Sequence, residues 1–295
     1  PVGDYLSGIT LEGGVIKSSV QYANGDSYEG NLLGVYRHGK GIYKTEDYVL
    51  EGEFIEGYLQ GKGTKTFLNR NQVISGEFVD DLPNGLIEDK ETYINENGDY
   101  IDRIYKGQAK NGYWHGLGYQ EVKRIEEIEG IGVRFGEYED PEIVGVRFWI
   151  QEIIEDSPAA RSELKVYDNI VSIKNPGKPK QEAKYLTLSE LVNLVVGKKG
   201  RPIELEVIRS DENDQAKTLT VQLERDIIQA KFIETYEGRF VDGNRSGYGK
   251  STTSDGRSYE GTWKNNLFNG FGKRTWGEGN IFLGSYKDGS CEGTG

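Results

Sequence analysis

Along "SYEGTWKNNLFNGFGKRTW" (258–276) apolar and polar positions alternate. Tyr259, Gly261 and Trp263 fall on one side and Glu260, Thr262 and Lys264 on the other, the two-residue period of a half-buried strand. The stretch "NNLFNG" (265–270) turns the chain, and Gly270-x-Gly272 starts a returning strand, so the unit reads as one hairpin. The unit repeats. Gly30, Gly52, Gly76, Gly107, Gly238, Gly261 and Gly284 each follow an aromatic or apolar residue by two positions. Nine residues on, each copy has another glycine: Gly39, Gly61, Gly85, Gly116, Gly247, Gly270 and Gly293. In six of the seven copies that glycine begins Gly-x-Gly, and only 84–88 lacks the second glycine. The steps between copies are 22, 24 and 31 residues, then 23 and 23 after a long interruption.

Glycine inside a strand is costly unless something passes close to the backbone. Here the expected visitor is an aromatic ring of the same or an adjacent hairpin, lying flat across the position without a side chain. Composition agrees: 41 glycines and 19 tyrosines stand beside only 35% hydrophobic residues, so rings rather than a thick Leu/Ile core carry the buried area.

The stretches "YEGTWKNNLFNGFGKRTW", "YEGRFVDGNRSGYGK" and "YEGNLLGVYRHGKG" resemble the MORN repeat (membrane occupation and recognition nexus). Copies at 50–67 and 74–88 are degenerate, and the first twenty or so residues, 5–24, resemble a still weaker cap. The resemblance implies a mainly β chain: an elongated array of stacked hairpins over 1–120 and 228–295, about sixteen strands in all.

Between them, over 121–227, the glycine register disappears and Ile, Val, Leu and charged residues take over. "TLSELVNLVVG" (187–197) reads as a helix, with Thr187 and Glu190 as a capping box and Gly197 as its stop. "RPIELEVIRS" and "KTLTVQLERD" alternate as two closing strands around a polar turn at 211–216. "GIGV" (130–133), "DSPAARSEL" (156–164), "YDNIVSI" (167–173) and 186–209 together resemble a PDZ domain of the kind found in bacterial C-terminal processing peptidases. Two departures stand out: Tyr167, where that family usually has glycine before Asp168, and the lengthened loop "NPGKPKQEAKY".

The PDZ resemblance implies a small β-barrel or sandwich with one main helix, and a groove in which an extended peptide adds as a strand. Gly130, Ile131, Gly132 and Val133 would form the turn whose N–H groups receive the peptide's carboxylate. Ile131, Val133 and Phe135 would wall the pocket on one side, and Leu188, Val192 and Val195, spaced i, i+4, i+7, on the other. The competing reading of these apolar residues is plain core.

The formal charge of −12 argues against phosphate backbones and anionic lipid surfaces. One cysteine, Cys291, provides no disulfide framework. The two histidines, His38 and His115, each precede a glycine of the repeat and read as framework. No nucleophile–base constellation, metal-ligand spacing or phosphate loop appears, so the expectation is a non-enzymatic protein without metal or cofactor. The functional expectation is a cytoplasmic scaffold or adaptor, with the PDZ groove holding an extended or C-terminal peptide and the array mediating assembly, including a homodimer. The alternatives are a structural element of a cytoskeletal or ciliary complex with the groove occluded, and a membrane-associated repeat protein.

Overall fold

The structure, a computed structural model, describes residues 5–12, 15–138, 145–210, 215–276 and 280–292. Gly293, the last glycine of the repeat register, and residues 211–214 of the polar turn predicted at 211–216 lie outside them. The chain divides into two compact units, Pro1–Arg124 with Phe232–Gly295, and Ile125–Lys231.

The first unit opens with β1 (Tyr5–Glu12), β2 (Val15–Gln21), β3 (Ser27–Leu33), β4 (Tyr36–Lys44), β5 (Tyr48–Ile55), β6 (Tyr58–Phe67), β7 (Asn71–Val79), β8 (Leu82–Ile94), β9 (Tyr100–Lys110) and β10 (Tyr113–Gly130). The second unit adds β11 (Val133–Glu137), β12 (Phe148–Ile153), β13 (Asn169–Lys174), β14 (Gln181–Glu182), α1 (Leu188–Val195), β15 (Pro202–Ser210) and β16 (Ala216–Glu224). Then follow β17 (Asp226–Val241), β18 (Asn244–Thr253), β19 (Ser258–Lys264), β20 (Leu267–Thr275), β21 (Ile281–Lys287) and β22 (Ser290–Glu292). The boundaries fall at 124/125 and 231/232 rather than 120/121 and 227/228, because β10 and β17 each continue as strand through the expected boundary.

Sixteen strands, β1–β10 and β17–β22, form one antiparallel sheet in chain order. A row of glycines crosses it at right angles to the strands. Gly30 pairs with Gly41, Gly41 with Gly52, Gly52 with Gly63 and Gly63 with Gly76. In the later copies Gly238 pairs with Gly249, Gly249 with Gly261, Gly261 with Gly272 and Gly272 with Gly284. As expected, rings fill the space: a Cβ at Gly249 would stand 2.6 Å from Tyr236 Cε2, and one at Gly272 2.6 Å from Tyr259 Cζ. Tyr28 serves Gly30 in this way and Tyr105 serves Gly107 and Gly118, while in the degenerate copy Leu59 covers Gly52 and Gly63.

A buried phenol needs a hydrogen-bond partner. Each covering tyrosine donates to the carbonyl three residues ahead: Tyr28 to Asn31 (2.8 Å), Tyr105 to Gln108 (2.6 Å), Tyr236 to Arg239 (3.1 Å) and Tyr259 to Thr262 (3.0 Å). The two glycines of Gly-x-Gly have different tasks. Gly261 pairs with Gly272 and Trp263 with Phe268, so three residues, 269–271, oppose Thr262 alone. Gly270, with φ +69, supplies the left-handed residue of that bulge, whereas Gly272 supplies the space for the ring. Tyr28, Phe54, Tyr105, Tyr236, Phe240, Tyr259, Trp263 and Tyr286 belong to the resulting core.

In the second unit the sheet order is β11-β12-β13-β15-β16, with β14 on β13. Its aliphatic core joins Phe148, Ile150, Ile170, Ile173, Leu191, Leu205 and Val207. The Asp168 side chain is fully buried against Arg209, with Nε–Oδ1 2.6 Å and Nη2–Oδ2 2.7 Å, and it accepts from Lys165 N at 2.8 Å. Tyr167, ahead of it, does adopt the left-handed conformation at φ +72 that a glycine would take without strain.

Candidate functional site

The turn between β10 and β11 is fixed from below. Gly132 has φ +80, and a Cβ there would run into Ser157, whose Oγ stands 2.5 Å away. Glycine is therefore required both for the backbone angle and for space. The turn's carbonyls are taken: Ala159 N donates to Ile131 O and Ile154 N to Gly132 O, both at 2.9 Å. The N–H groups of Ile131 and Gly132 have no acceptor among the described hydrogen bonds.

Among the described residues strand β11 stands at the end of its sheet and pairs with β12 alone. Ile154 N donates to Gly132 O, and six residues on Tyr138 N donates to Arg147 O. By alternation, residues 132, 134, 136 and 138 aim their main-chain groups at β12. Val133, Phe135 and Glu137 aim theirs at the open edge, which leaves a row of donors and acceptors ready for another strand.

Helix α1 begins as expected: the Thr187 side chain accepts from Glu190 N, and Glu190 returns a carboxylate to Thr187 N at 2.8 Å. Those bonds hold the Glu190 carboxyl below its ordinary pKa, Thr187 being the main cause. Val196 leaves the helix in extended conformation, and Gly197 N donates to Glu129 O at 3.1 Å, so the helix end is tied to the glycine turn. The last helical carbonyls meet a buried arginine. Arg225 Nε donates to Val195 O (3.0 Å), and its Nη2 donates to Leu194 O and to Asn175 Oδ1 (both 2.6 Å). Nη1 donates to Pro202 O at 3.0 Å. Burial lowers the arginine's pKa, but four short bonds favour the cation.

The predicted site residues divide into two sets. Ile131, Phe135 and Val195 are core, in one cluster with Leu191, and Val133 packs against that cluster. Plain core is thus the right reading for three of the predicted walls. Leu188 and Val192 are the apolar residues of the helix left open, 38% and 39% exposed. Gly130 is buried, and a Cβ on it would stand 3.5 Å from Val195 O. Arg225 was not anticipated, since a single arginine after an alternating strand carries no signal of the helix end it caps.

On the array unit a second surface appears. Leu86, Leu117, Tyr248 and Phe271, each following the second glycine of its repeat, lie on β8, β10, β18 and β20 and are 62–69% exposed. The equivalent positions on β4 and β6 are Lys40 and Lys62, which line a trough of 1010 Å³ together with Glu29, Glu51 and Glu53. His115 Nδ1 lies 3.6 Å from Asp242 Oδ1. Among the described residues no group of three or more His, Cys, Asp or Glu could hold a metal ion, and no helix is long and apolar enough to cross a membrane.

Three stretches match the MORN repeat. They are residues 51–72, 236–256 and 259–281. MORN repeats are thus present on both sides of the second unit, and the 51–72 match includes a copy whose covering side chain is Leu59 rather than a ring. No curated protein matches the chain. Among solved structures, the PDZ domain of the carboxy-terminal protease from Vibrio cholerae, in complex with peptide, is similar to 36% of this chain and 100% of its own. The identity is 25% and the TM-score 0.31, a likeness too small to assign the second unit's function.

Proposed function

We propose that this protein is a non-enzymatic adaptor whose second unit captures an extended peptide ending in a free carboxylate. The reading rests chiefly on β11: an edge strand with outward main-chain groups at Val133, Phe135 and Glu137, preceded by a turn whose Ile131 and Gly132 N–H groups have no described acceptor. In this reading the carboxylate accepts from those N–H groups, and the peptide lies antiparallel to β11. Leu188 and Val192 favour an apolar side chain two residues before the peptide's end, since no donor stands at the start of the helix face. Few side chains are buried in such a groove, so affinity is on the order of micromolar.

The MORN array adds a protein-binding face, and the observation that favours it is the exposed row Leu86, Leu117, Tyr248 and Phe271. Two weak contacts on one chain raise avidity without a new interface. A peptide-display screen on the full chain tests the groove. Enrichment of free C-termini with an apolar residue two positions before the end, abolished by Leu188→Asp, is the expected result. Absence of any enriched terminus counts against capture and leaves an architectural role.

A further inference from the structure

The open edge of β11 has a second face, away from α1. On that face Gly136 pairs directly with Trp149 of β12. The indole does not stand upright beside its partner; it lies across it. A Cβ at Gly136 would collide with Trp149 Cε2 and Cζ2, and Cδ2 would be 2.9 Å away. Gly136 therefore leaves nothing between the six-membered ring and the sheet's open edge. From the β13 side the indole is backed by Tyr167, stacked at 5.7 Å and 27°, and flanked by Tyr138 at 6.2 Å. Tyr167 is 74% exposed and holds φ +72, a conformation that costs a non-glycine residue on the order of 1 kcal/mol. An exposed ring kept in a strained backbone against an indole is unusual for a surface with only a structural task.

The register says which ligand residue would meet this surface. With the carboxylate on the N–H groups of Ile131 and Gly132, the ligand's last residue pairs with Val133, and antiparallel counting brings the third residue before it opposite Gly136. Paired residues share a face, so that ligand side chain falls on the side occupied by Trp149. The same face carries Arg134, paired with Glu152 at 2.9 Å. A guanidinium already on this face does nothing to attract a cationic ligand residue, so ring stacking is the available gain.

We infer that Trp149, laid over Gly136 and backed by Tyr167, is a specificity subsite for an aromatic or large aliphatic side chain three residues before the ligand's C-terminus. The inference rests on the proposed peptide capture. Its test uses the full chain and fluorescein-labelled heptapeptides ending Xaa-Leu-Ser-Val with a free carboxylate, where Xaa is Trp, Ala or Arg. By polarisation, the Trp peptide binds about tenfold more tightly than the Ala peptide. In Trp149→Ala that advantage disappears while the Ala peptide binds within about twofold of its original affinity. Tyr167→Gly, which relieves backbone strain and removes only the backing ring, reduces the advantage and serves as the deciding variant if Trp149→Ala melts prematurely.

Equal binding of the Trp and Ala peptides to the unaltered chain overturns the subsite while leaving capture intact. So does preferred binding of the Arg peptide, or an advantage that survives both substitutions. If no peptide binds, and amidated and free termini behave alike, capture itself fails and the subsite falls with it.

Discussion

Arg225 Nε donates to Val195 O at 3.0 Å, so the last turn of α1 ends on a buried guanidinium instead of water. The same group reaches Leu194 O, Pro202 O and Asn175 Oδ1 and thereby joins the helix end to the start of β15 and the loop after β13. Lysine has neither the fork nor the number of donors to replace it. Arg225→Lys should leave at least one buried acceptor unsatisfied and cost about 1–3 kcal/mol in urea unfolding of the second unit. Amide exchange at 191–197 should accelerate, whereas amides of the array strands keep their protection. Unchanged exchange in the helix would contradict this role.

Asp168, fully buried, forms a bidentate pair with the partly exposed Arg209. Arg209→Leu leaves a fully buried carboxylate without its counter-ion and should cost about 3–5 kcal/mol, whereas replacing both residues by apolar ones of similar size should cost less. A double-mutant cycle by chemical denaturation checks this, and additive losses would refute the pairing as the source.

The two glycines of Gly270-x-Gly272 should fail differently. Gly272→Ala pushes a methyl into the Tyr259 ring and costs about 1–3 kcal/mol, most of which is recovered in a Tyr259→Ala background. Gly270→Ala meets Thr262 Cβ only at ordinary contact, 3.5 Å, and its cost of about 1 kcal/mol comes from φ +69. Tyr259→Ala should not rescue it. Thermal unfolding of the two glycine variants, each alone and with Tyr259→Ala, against Tyr259→Ala itself decides between a steric and a backbone cause.

Burial pushes the hydroxyls of Tyr28 and Tyr236 up to about 12, and it also raises those of Tyr105 and Tyr259. In the unfolded chain these groups titrate near 10. A raised value in the folded state means that the stabilisation is fully present below about pH 10 and is lost as pH rises toward about 12. The array's melting temperature should therefore be flat from neutral pH to about 9 and fall above 10. Tyr236→Phe should fall less steeply, from a starting stability about 1 kcal/mol lower because the bond to Arg239 O is gone. Equal slopes for the two proteins would count against burial of the phenol as the cause.

Much of the array is legible in the sequence because one physical rule is written many times. Ring-over-glycine packing needs an aromatic and a glycine two residues apart on one face, and Tyr259, Gly261 and Trp263 state that in letters. The tyrosine hydroxyl's bond to the carbonyl three residues ahead leaves no such mark, because any residue provides a carbonyl. Nor does the division of labour in Gly-x-Gly, since both tasks select the same residue. In the second unit the capping box at Thr187 and Glu190 is local and readable. Whether Ile131, Phe135 and Val195 face a ligand or the core depends on which neighbours pack beneath them, and alternation alone cannot distinguish the two. Leu188 and Val192 remain open because the helix turns Leu191 and Val195 inward. Trp149 over Gly136 is a cross-strand relation between positions thirteen apart, set by the β11–β12 register rather than by sequence neighbours.

Capture of a free C-terminus at the β11 edge is tested most directly by titrating the ¹⁵N-labelled full chain with an unlabelled peptide ending Trp-Leu-Ser-Val, as the acid and as the amide. The acid should shift the amide resonances of Ile131, Gly132, Val133, Phe135 and the 188–195 helix, and the amide should shift them far less. Resonances of that set unmoved at millimolar peptide, or moved equally by acid and amide, would contradict the account.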